Sequence, residues 1–429
     1  MRNRLFRFVS TILFGAAVAI TITGCETNPV TGKNQLSLVS TGQELAIGKQ
    51  QYGPSQQSQG GVYTIDPSLN MYVDNIGQKL AVLSGQPDLP YEFVVLNNDV
   101  PNAWALPGGK IAINRGLLVL LKDEAQLAAV LGHEVVHAAA RHGASQMSQG
   151  MLLQLGTQLV DQVSGNSAYS QIAGLGASAV QARYGRSQEL EADYYGIAYM
   201  AKAGYAPQAA VELQQTFLRL SQDSSQGNWL DNLFTSHPPS AERVYKNQTL
   251  ASRLPKGKRN KTAYQRAIRQ ITKDEKAYKT HEKAIAQAQK KSWASALKLA
   301  NAAIKQQPKE ARFHITKGRL LNEIEKSGDA VTAFSTAIAL EPNYFAGFFY
   351  RGLTQQVLNN TNAAEKDLLK SNSFLETGVA NYYLGEIALS KNQRTSAINY
   401  YQRAAQGGGD IAKAATEKLK KLNPQKNRV

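Results

Sequence analysis

The chain has 429 residues, 43% hydrophobic and 19% charged, which excludes a low-complexity protein and suits two or three globular domains. Its net charge of +16 is unevenly spread: residues 251–429 hold 32 Lys+Arg against 14 Asp+Glu, a balance of +18, leaving −2 for residues 1–250. That asymmetry points to two domains with different partners, the basic one a solvated surface or a patch for acidic lipid, polymer or protein. With Cys25 as its single cysteine, the chain can form no internal disulfide.

Residues 1–24 read as an export signal. Arg2, Arg4 and Arg7 precede an apolar core from Phe8 to Ile22, shorter than the roughly 20 apolar residues a membrane span needs. The stretch Ile22-Thr23-Gly24-Cys25 resembles the lipobox of bacterial lipoproteins. It implies a mature chain tethered through a lipid on Cys25, at about 0.8 kcal/mol per buried CH₂. Glu26, where Asp would resemble an inner-membrane retention signal, favours the outer membrane over the inner.

Residues 26–62 are polar and turn-rich, with a helix expected near Gly42–Gln51. Leu69, Val73, Ile76, Leu80 and Leu83 predict a helix over Pro67–Leu83. "YEFVVLNN", Tyr91–Asn98, reads as a strand. "NAWALPGGKIAINRGLL" reads as two short strands joined at Pro107-Gly108-Gly109. A helix follows, capped by Asp123 with Gln126 three residues on, running to about Arg141 and stopped by Gly143. Met147–Val180, rich in small residues, reads as loosely packed helices forming a cover. Helices are expected from Ser187 and over Val211–Leu220, and "DNLFTSHPPSAERV" reads as a loop broken by Pro238-Pro239.

Residues 253–275 read as a basic linker, and beyond them lies a repeat. Ala296, Ala330 and Ala364 are 34 apart, with Ala397 after 33. Gly318, Gly352 and Gly385 keep the same step, and Pro308 and Pro342 close two units. Period and texture are those of tetratricopeptide repeats: small residues let two helices pack closely and proline ends each unit. About four helix pairs and a capping helix fit.

The chemistry sits in "LGHEVVHAAARHG". His133 and His137 are four apart on a predicted helix, so they share a face and can share one ion, with Glu134 between them. This is H-E-x-x-H: imidazoles as zinc ligands, a carboxylate beside the water. Zinc needs a third protein ligand. His142 lacks the spacing and glycine of the metzincin pattern and reads as a helix-end residue suited to the helix dipole. "RSQELEAD" offers Glu189 and Asp193, four apart on another helix; one can bind metal while the other hydrogen-bonds a ligating imidazole. Glu191 points elsewhere.

H-E-x-x-H followed by a helix bearing E-x-x-A-D resembles the gluzincin peptidases of family 48 related to the CAAX prenyl protease and HtpX. "NPVTGKNQLSLVS", "NAWALPGGKIAINRGLL" and "SHPPSAERV" are similar to stretches of its exported bacterial members. The resemblance covers roughly Asn28–Tyr245, and its closest architecture is BepA-like, with a signal and C-terminal repeats. It implies an α+β zincin-type (gluzincin) peptidase domain over residues 25–252, mainly helical with a small sheet, followed by an all-α tetratricopeptide-repeat solenoid over 276–425. It further implies one Zn²⁺ per chain held by His133, His137 and Glu189, with Asp193 supporting a ligating imidazole. Glu134 is the implied general base. His237 sits where the family carries a histidine near the metal, to stabilise the oxyanion or to hold the site latent. Asn102, Ala103, Trp104 and Ala105 resemble the family's substrate-binding edge strand.

The function so implied is zinc endopeptidase activity in the bacterial envelope on unfolded or misassembled proteins, with the repeats recruiting substrate or docking on an outer-membrane assembly complex. The alternative is a periplasmic chaperone or scaffold with a latent or vestigial metal site. Nucleic acid is not an expected partner: the basic half has no reading motif and export removes it from nucleic acid.

Overall fold

The computed structural model describes residues 25–161, 184–222 and 230–422. The chain divides into two compact units, one running to Ser55 and resuming over Asp66–Arg269, the other comprising Gln56–Ile65 and Gln270 onward. The expected leader, and the expected cover beyond its first turns, lie outside the described residues.

The first unit opens with a small antiparallel hairpin, β1 (Cys25–Thr27) and β2 (Asn34–Leu36), followed by helix α1 (Thr41–Ser58). Helix α2 (Pro67–Ala81) follows the expected stripe: Asp66 caps Ser68 N at 3.1 Å, and Leu69, Val73, Ile76 and Leu80 are buried. Three strands, β3 (Glu92–Leu96), β4 (Ala103–Leu106) and β5 (Lys110–Asn114), form a sheet in the order β3-β5-β4. β3 is parallel to β5, and β4 antiparallel, its turn made by Gly108 and Gly109 at φ 75° and 79°. Among the described residues β4 has no second strand neighbour, so its outer edge is unpaired by strand.

Helix α3 (Arg115–Leu120) leads to α4 (Glu124–Ala139), the helix that carries the histidine pair. Asp123 caps it by accepting from Gln126 N at 3.0 Å; the Gln126 amide oxygen accepts from Lys122 N, one residue earlier than a capping box requires. Gly143 is not the stop. Arg141 makes the turn at φ 58°, held by Glu44 (3.0 Å) and the Val39 carbonyl (2.8 Å), and Gly143 lies in the first turn of α5 (His142–Asp161). Tertiary hydrogen bonds thus fix a left-handed residue that a glycine-based reading of the sequence does not find.

Helices α6 (Arg186–Lys202) and α7 (Gln208–Gln222) match expectation. "DNLFTSHPPSAERV" is more ordered than expected: α8 (Asp231–Ser236) precedes His237, and Ser240 caps α9 (Ala241–Ala251). The stretch expected as a linker is also structured, with α10 (Lys261–Ala267) packed into the first unit. Arg259 bonds Asp123 at 2.7 Å and Glu212 at 2.7 and 2.6 Å, and fully buried Tyr264 donates to the Leu118 carbonyl. Arg259 is drawn to acidic partners of the first unit, and the division falls after Arg269.

The second unit is four helix pairs and a cap among the described residues: α11 (Arg269–Gln289) with α12 (Trp293–Gln306), α13 (Ala311–Glu323) with α14 (Ser327–Leu340), α15 (Phe345–Val357) with α16 (Thr361–Phe374), α17 (Gly378–Ser390) with α18 (Arg394–Ala405), then α19 (Gly409–Leu422). The repeat spacing has a packing cause. A Cβ on Gly318, Gly352 or Gly385 would come within 2.5 to 2.9 Å of Phe334, Leu368 or Tyr401 on the partner helix. Ala296, Ala330, Ala364 and Ala397 are fully buried. The turn inside each pair carries a left-handed residue, Lys291, Glu325, Asn359 or Asn392, at φ 56° to 62°.

Candidate metal centre

Two glycines set the site. Gly132 on α4 and Gly196 on α6 face each other so closely that a Cβ on Gly196 would lie 2.9 Å from His133 N, and one on Gly132 3.0 Å from the Gly196 carbonyl. With no side chain between them the helices meet at backbone distance, which brings Glu189 and Asp193 opposite the histidine pair.

His133, His137, Glu189 and His237 are buried and each offers a ligand atom within 4.8 Å of the others. His133 Nε2 and His137 Nε2 lie 3.0 Å apart, and Glu189 Oε1 is 3.2 Å from His137 Nε2 and 3.0 Å from His237 Nδ1. The tautomers follow from the partners behind. His133 Nδ1 faces the Asp193 carboxylate at 3.0 Å and therefore donates, leaving the Nε2 lone pair turned inward. Two such imidazole nitrogens and a carboxylate converging in a buried space repel one another unless a cation lies among them. The donor set, two or three imidazoles and one carboxylate, fits a zinc-type divalent ion.

The electrostatics agree. Without an ion, burial opposes charge on His133, but Glu189 and Asp193 outweigh it and push its pKa up to about 10, the pull of a site that favours positive charge. His137 is held well below the ordinary histidine value by burial. Glu189 stays well below the carboxylate range: burial opposes this, and His237, His133 and the hydrogen bond from His137 override it. Burial raises Glu134, which is 2% exposed and whose Oε2 has no hydrogen-bond partner among the described residues.

Every sequence-predicted metal and acid-base residue meets here, with Asp193 behind His133 and His237 entering from the turn after α8. Residues not singled out from the sequence complete the surroundings. Arg243, on the first turn of α9, clamps Asp193 through two 2.7 Å hydrogen bonds and lies 2.6 Å from Glu189 Oε2. Burial raises the Asp193 pKa, but this cation overrides it and holds it at about 2. Tyr184 stacks on the His137 ring at 3.6 Å. His142 lies outside the donor cluster but is no exposed helix end: it is buried, with Nδ1 2.8 Å from His137 Nδ1 and Nε2 3.2 Å from Glu191. Ser240 as an N-cap three residues before Arg243 was the signal that could have found the clamp.

The strand Asn102–Ala105 divides by face. Trp104 does not turn toward the site. It is 4% exposed and packs edge-on against Tyr52 with Leu96, Leu106 and Ala112, so its side chain serves the core and any substrate contact of this strand falls to its main chain. The Asn102 carbonyl accepts from Asn114 N, which puts Trp104 in a bonded pair with β5 and leaves the main chain of Ala103 and Ala105 on the outer edge. The Ala105 carbonyl there takes the Tyr184 hydroxyl at 3.4 Å. Ala103 also lines, with Val130, His133, Glu134, Leu213 and Phe217, a mostly apolar cavity opening on the cluster.

A buried histidine-carboxylate cluster on facing helices thus lies beside a sheet edge and an apolar cavity, the parts a metal-dependent peptidase would need. Residues 67–251 match the model of peptidase family M48, and tetratricopeptide-like repeats follow them. Over 262 residues it is 26% identical to the beta-barrel assembly-enhancing protease of Escherichia coli (strain K12), covering 59% of this chain and 53% of that one. Over 254 residues it is 28% identical to the mitochondrial metalloendopeptidase OMA1 of Schizosaccharomyces pombe, covering 57% and 72%. A Vibrio cholerae relative is 30% identical over 199 residues, 44% of this chain and 40% of its own, so the chain spans about half the length of its bacterial relatives. Among solved structures, a thermophilic tetratricopeptide protein, TTC0263 of Thermus thermophilus, is 16% identical at TM-score 0.31, covering 50% of this chain and 99% of that one.

Proposed function

We propose that this protein is a zinc-dependent endopeptidase of the bacterial cell envelope, lipid-anchored at Cys25, that degrades unfolded or misassembled proteins. The observation that carries the proposal is the convergence of His133, His137 and Glu189 beside buried Glu134, whose Oε2 has no hydrogen-bond partner among the described residues. These three residues would hold a zinc ion, which when bound would supply Lewis acidity and lower the pKa of a water toward about 7. Glu134 takes the proton from the attacking water and passes it to the leaving amine, a transfer commonly worth about 10²–10⁴ in rate. Its raised pKa suits a base that must also act as an acid.

The outer edge of β4 supports a mode of substrate binding. An extended peptide adds there through main-chain hydrogen bonds at Ala103 and Ala105, while the adjoining apolar cavity takes a side chain. Such binding reads little sequence and suits unfolded chains. The name of the Escherichia coli relative supports envelope quality control, and the repeat unit is the surface for recruiting substrate or an outer-membrane assembly complex. Among the described residues no helix is long and apolar enough to cross a membrane, which is compatible with anchoring by lipid.

One observation favours a latent form of this enzyme. His237 Nδ1 lies 3.0 Å from Glu189 and 3.3 Å from His133 Nε2, making a fourth donor. Four protein ligands close a zinc site, whereas a catalytic site keeps one position open. His237 is thus the gate that must leave before substrate enters.

The test is metal content and peptidase activity of the chain beginning at Cys25, purified without chelators, beside Glu189→Ala. About one zinc per chain, lost or much weakened in the variant, together with cleavage of an unfolded substrate, is the expected result. A wild-type chain that takes up no metal when zinc is supplied would overturn the proposal and leave a binding module.

A further inference from the structure

His133 and His137 are supported differently. His133 has a carboxylate directly behind it, whereas His137 has a second imidazole, His142, at 2.8 Å. Behind His142 stands Glu191, 3.2 Å from Nε2, and the same Glu191 oxygen accepts from Asn28 Nδ2 at 2.8 Å. Asn28 is 4% exposed and held on both sides of its amide. Its oxygen accepts from Val30 N and Thr31 N at 2.9 and 3.1 Å, and its nitrogen also reaches Gln35, which bonds the Ala140 carbonyl at the end of α4.

We propose that His142, Glu191 and Asn28 are positioning residues that fix the tautomer and orientation of His137, so that the N-terminal segment "NPVTGKNQ" is a structural part of the metal centre. This rests on the reading of the cluster as a metal site. The proton order is dictated from the far end. Asn28 donates to Glu191 and leaves its carboxylate an acceptor; Glu191 fixes the proton of His142 on Nε2; His142 then presents a lone pair at Nδ1. His137 must donate from Nδ1, which leaves its Nε2 lone pair directed at Glu189 and His133, where an ion would bind. With both rings neutral and Glu191 ionised, this is the proton order that satisfies the Glu191 and His137 contacts of His142 together. The arrangement also gives the sequence motif a purpose. The turn after β1 and its pairing with β2 hold the Asn28 amide in place, and that turn starts three residues beyond Cys25, so the N-terminal attachment and the metal ligand share one hydrogen-bonded path.

The experiment compares zinc dissociation constants, by competition with a chromogenic chelator, in the full chain from Cys25. The variants are His142→Phe, which keeps a ring but no nitrogen, Glu191→Gln, Asn28→Ala, and Asn34→Ala as a control on the exposed side of the hairpin. Cobalt-substituted spectra and the melting temperature of the metal-free protein are recorded alongside. Loss of a residue that orients a metal ligand typically costs about 10–100-fold in affinity. The expected result is a weakening of that size in His142→Phe, a smaller one in Glu191→Gln and Asn28→Ala, altered cobalt bands, and an unchanged control. A wild-type zinc constant in His142→Phe, with or without a lower melting temperature of the metal-free protein, would overturn the relay and leave His142 as packing. Failure of the wild-type chain itself to bind zinc would overturn both the relay and the functional reading beneath it.

Discussion

Arg243 holds Asp193 in a fork, Nε to Oδ2 and Nη2 to Oδ1, each at 2.7 Å, with the pair nearly excluded from solvent. The guanidinium satisfies a carboxylate whose other task is to accept from His133, and it neutralises part of the charge that Asp193 and Glu189 bring into the interior. A lysine cannot reproduce the two parallel bonds. Arg243→Lys is expected to weaken metal binding and activity. Arg243→Ala, which strands two buried carboxylates, is expected to cost about 3–5 kcal/mol of stability. Urea unfolding and chelator competition on the two variants check this; equal stability in Arg243→Ala would show that the fork is not a buried ion pair of consequence.

Glu134→Gln removes the proposed base and keeps the shape. The amide cannot take a proton from water, while the residues proposed to hold zinc are untouched. Cleavage of an unfolded substrate is expected to fall by about 10²–10⁴, with zinc content per chain unchanged. Wild-type turnover in this variant would place the acid-base chemistry elsewhere.

These two residues mark what the sequence reveals and what it hides. The place of Glu134 in the cluster is legible because it is written in a short spacing on one helix, and so are the places of His133, His137 and the Glu189–Asp193 pair. Arg243 is hidden because its partners lie 50 and 54 positions away and its helix begins in a stretch whose prolines read as loop. The same holds for Arg141, whose left-handed turn is enforced by Glu44 and Val39 rather than by a glycine. The repeat half is legible down to its register, because small residues recur where a Cβ would strike the facing helix. The sequence leaves the face of Trp104 open for a related reason: which face meets the core depends on Tyr52, 52 positions away.

Glu341 gives the repeat unit an expected pH dependence. It is buried beside Glu310, which is itself held by the Tyr278 hydroxyl at 2.7 Å and by Arg312 N at 3.0 Å. Burial foremost, then the Glu310 charge, pushes the Glu341 pKa up to about 8 from 4.5. An acid whose folded pKa is raised holds a proton in the native state that the unfolded chain has released. Stability therefore falls as pH rises from about 4.5 to about 8 and levels off above that. The loss is on the order of a few kcal/mol at about 1.36 kcal/mol per unit. Hydrogen exchange over Ala311–Val357 between pH 5 and 9 should show protection declining with pH beyond the intrinsic rate change. Glu341→Gln should flatten that decline; an equally steep decline in the variant would assign it to another group.

Gly318 tests the packing rule of the repeats. Its missing side chain leaves room for the Phe334 ring, and an added Cβ would lie 2.5 Å from it. Alanine is a better helix former by about 0.8–1.0 kcal/mol, so propensity alone predicts stabilisation. Overpacking costs about 1–3 kcal/mol and is expected to win, because Phe334 is fully buried and has no room to retreat. Gly318→Ala should lower the urea midpoint of the repeat unit, and Gly328→Ala, with nothing near its Cβ, should not.

His237 decides between a gate and a transition-state partner. As a gate it occupies the fourth position, so His237→Ala should raise turnover of an unfolded substrate while three ligands retain the metal. As an oxyanion partner it would make contacts only in the transition state, and the same change would lower kcat with KM little altered. The geometry favours the gate: Nδ1 is turned to Glu189 and His133, and Nε2 is 3.6 Å from Glu134, beyond hydrogen-bond reach. A histidine in that place competes with both water and substrate for the same donors' focus. Initial rates of the wild type and His237→Ala on one unfolded protein, with zinc content measured on both, settle it. A rise supports the closed, latent site; a fall in kcat at constant zinc assigns His237 to catalysis.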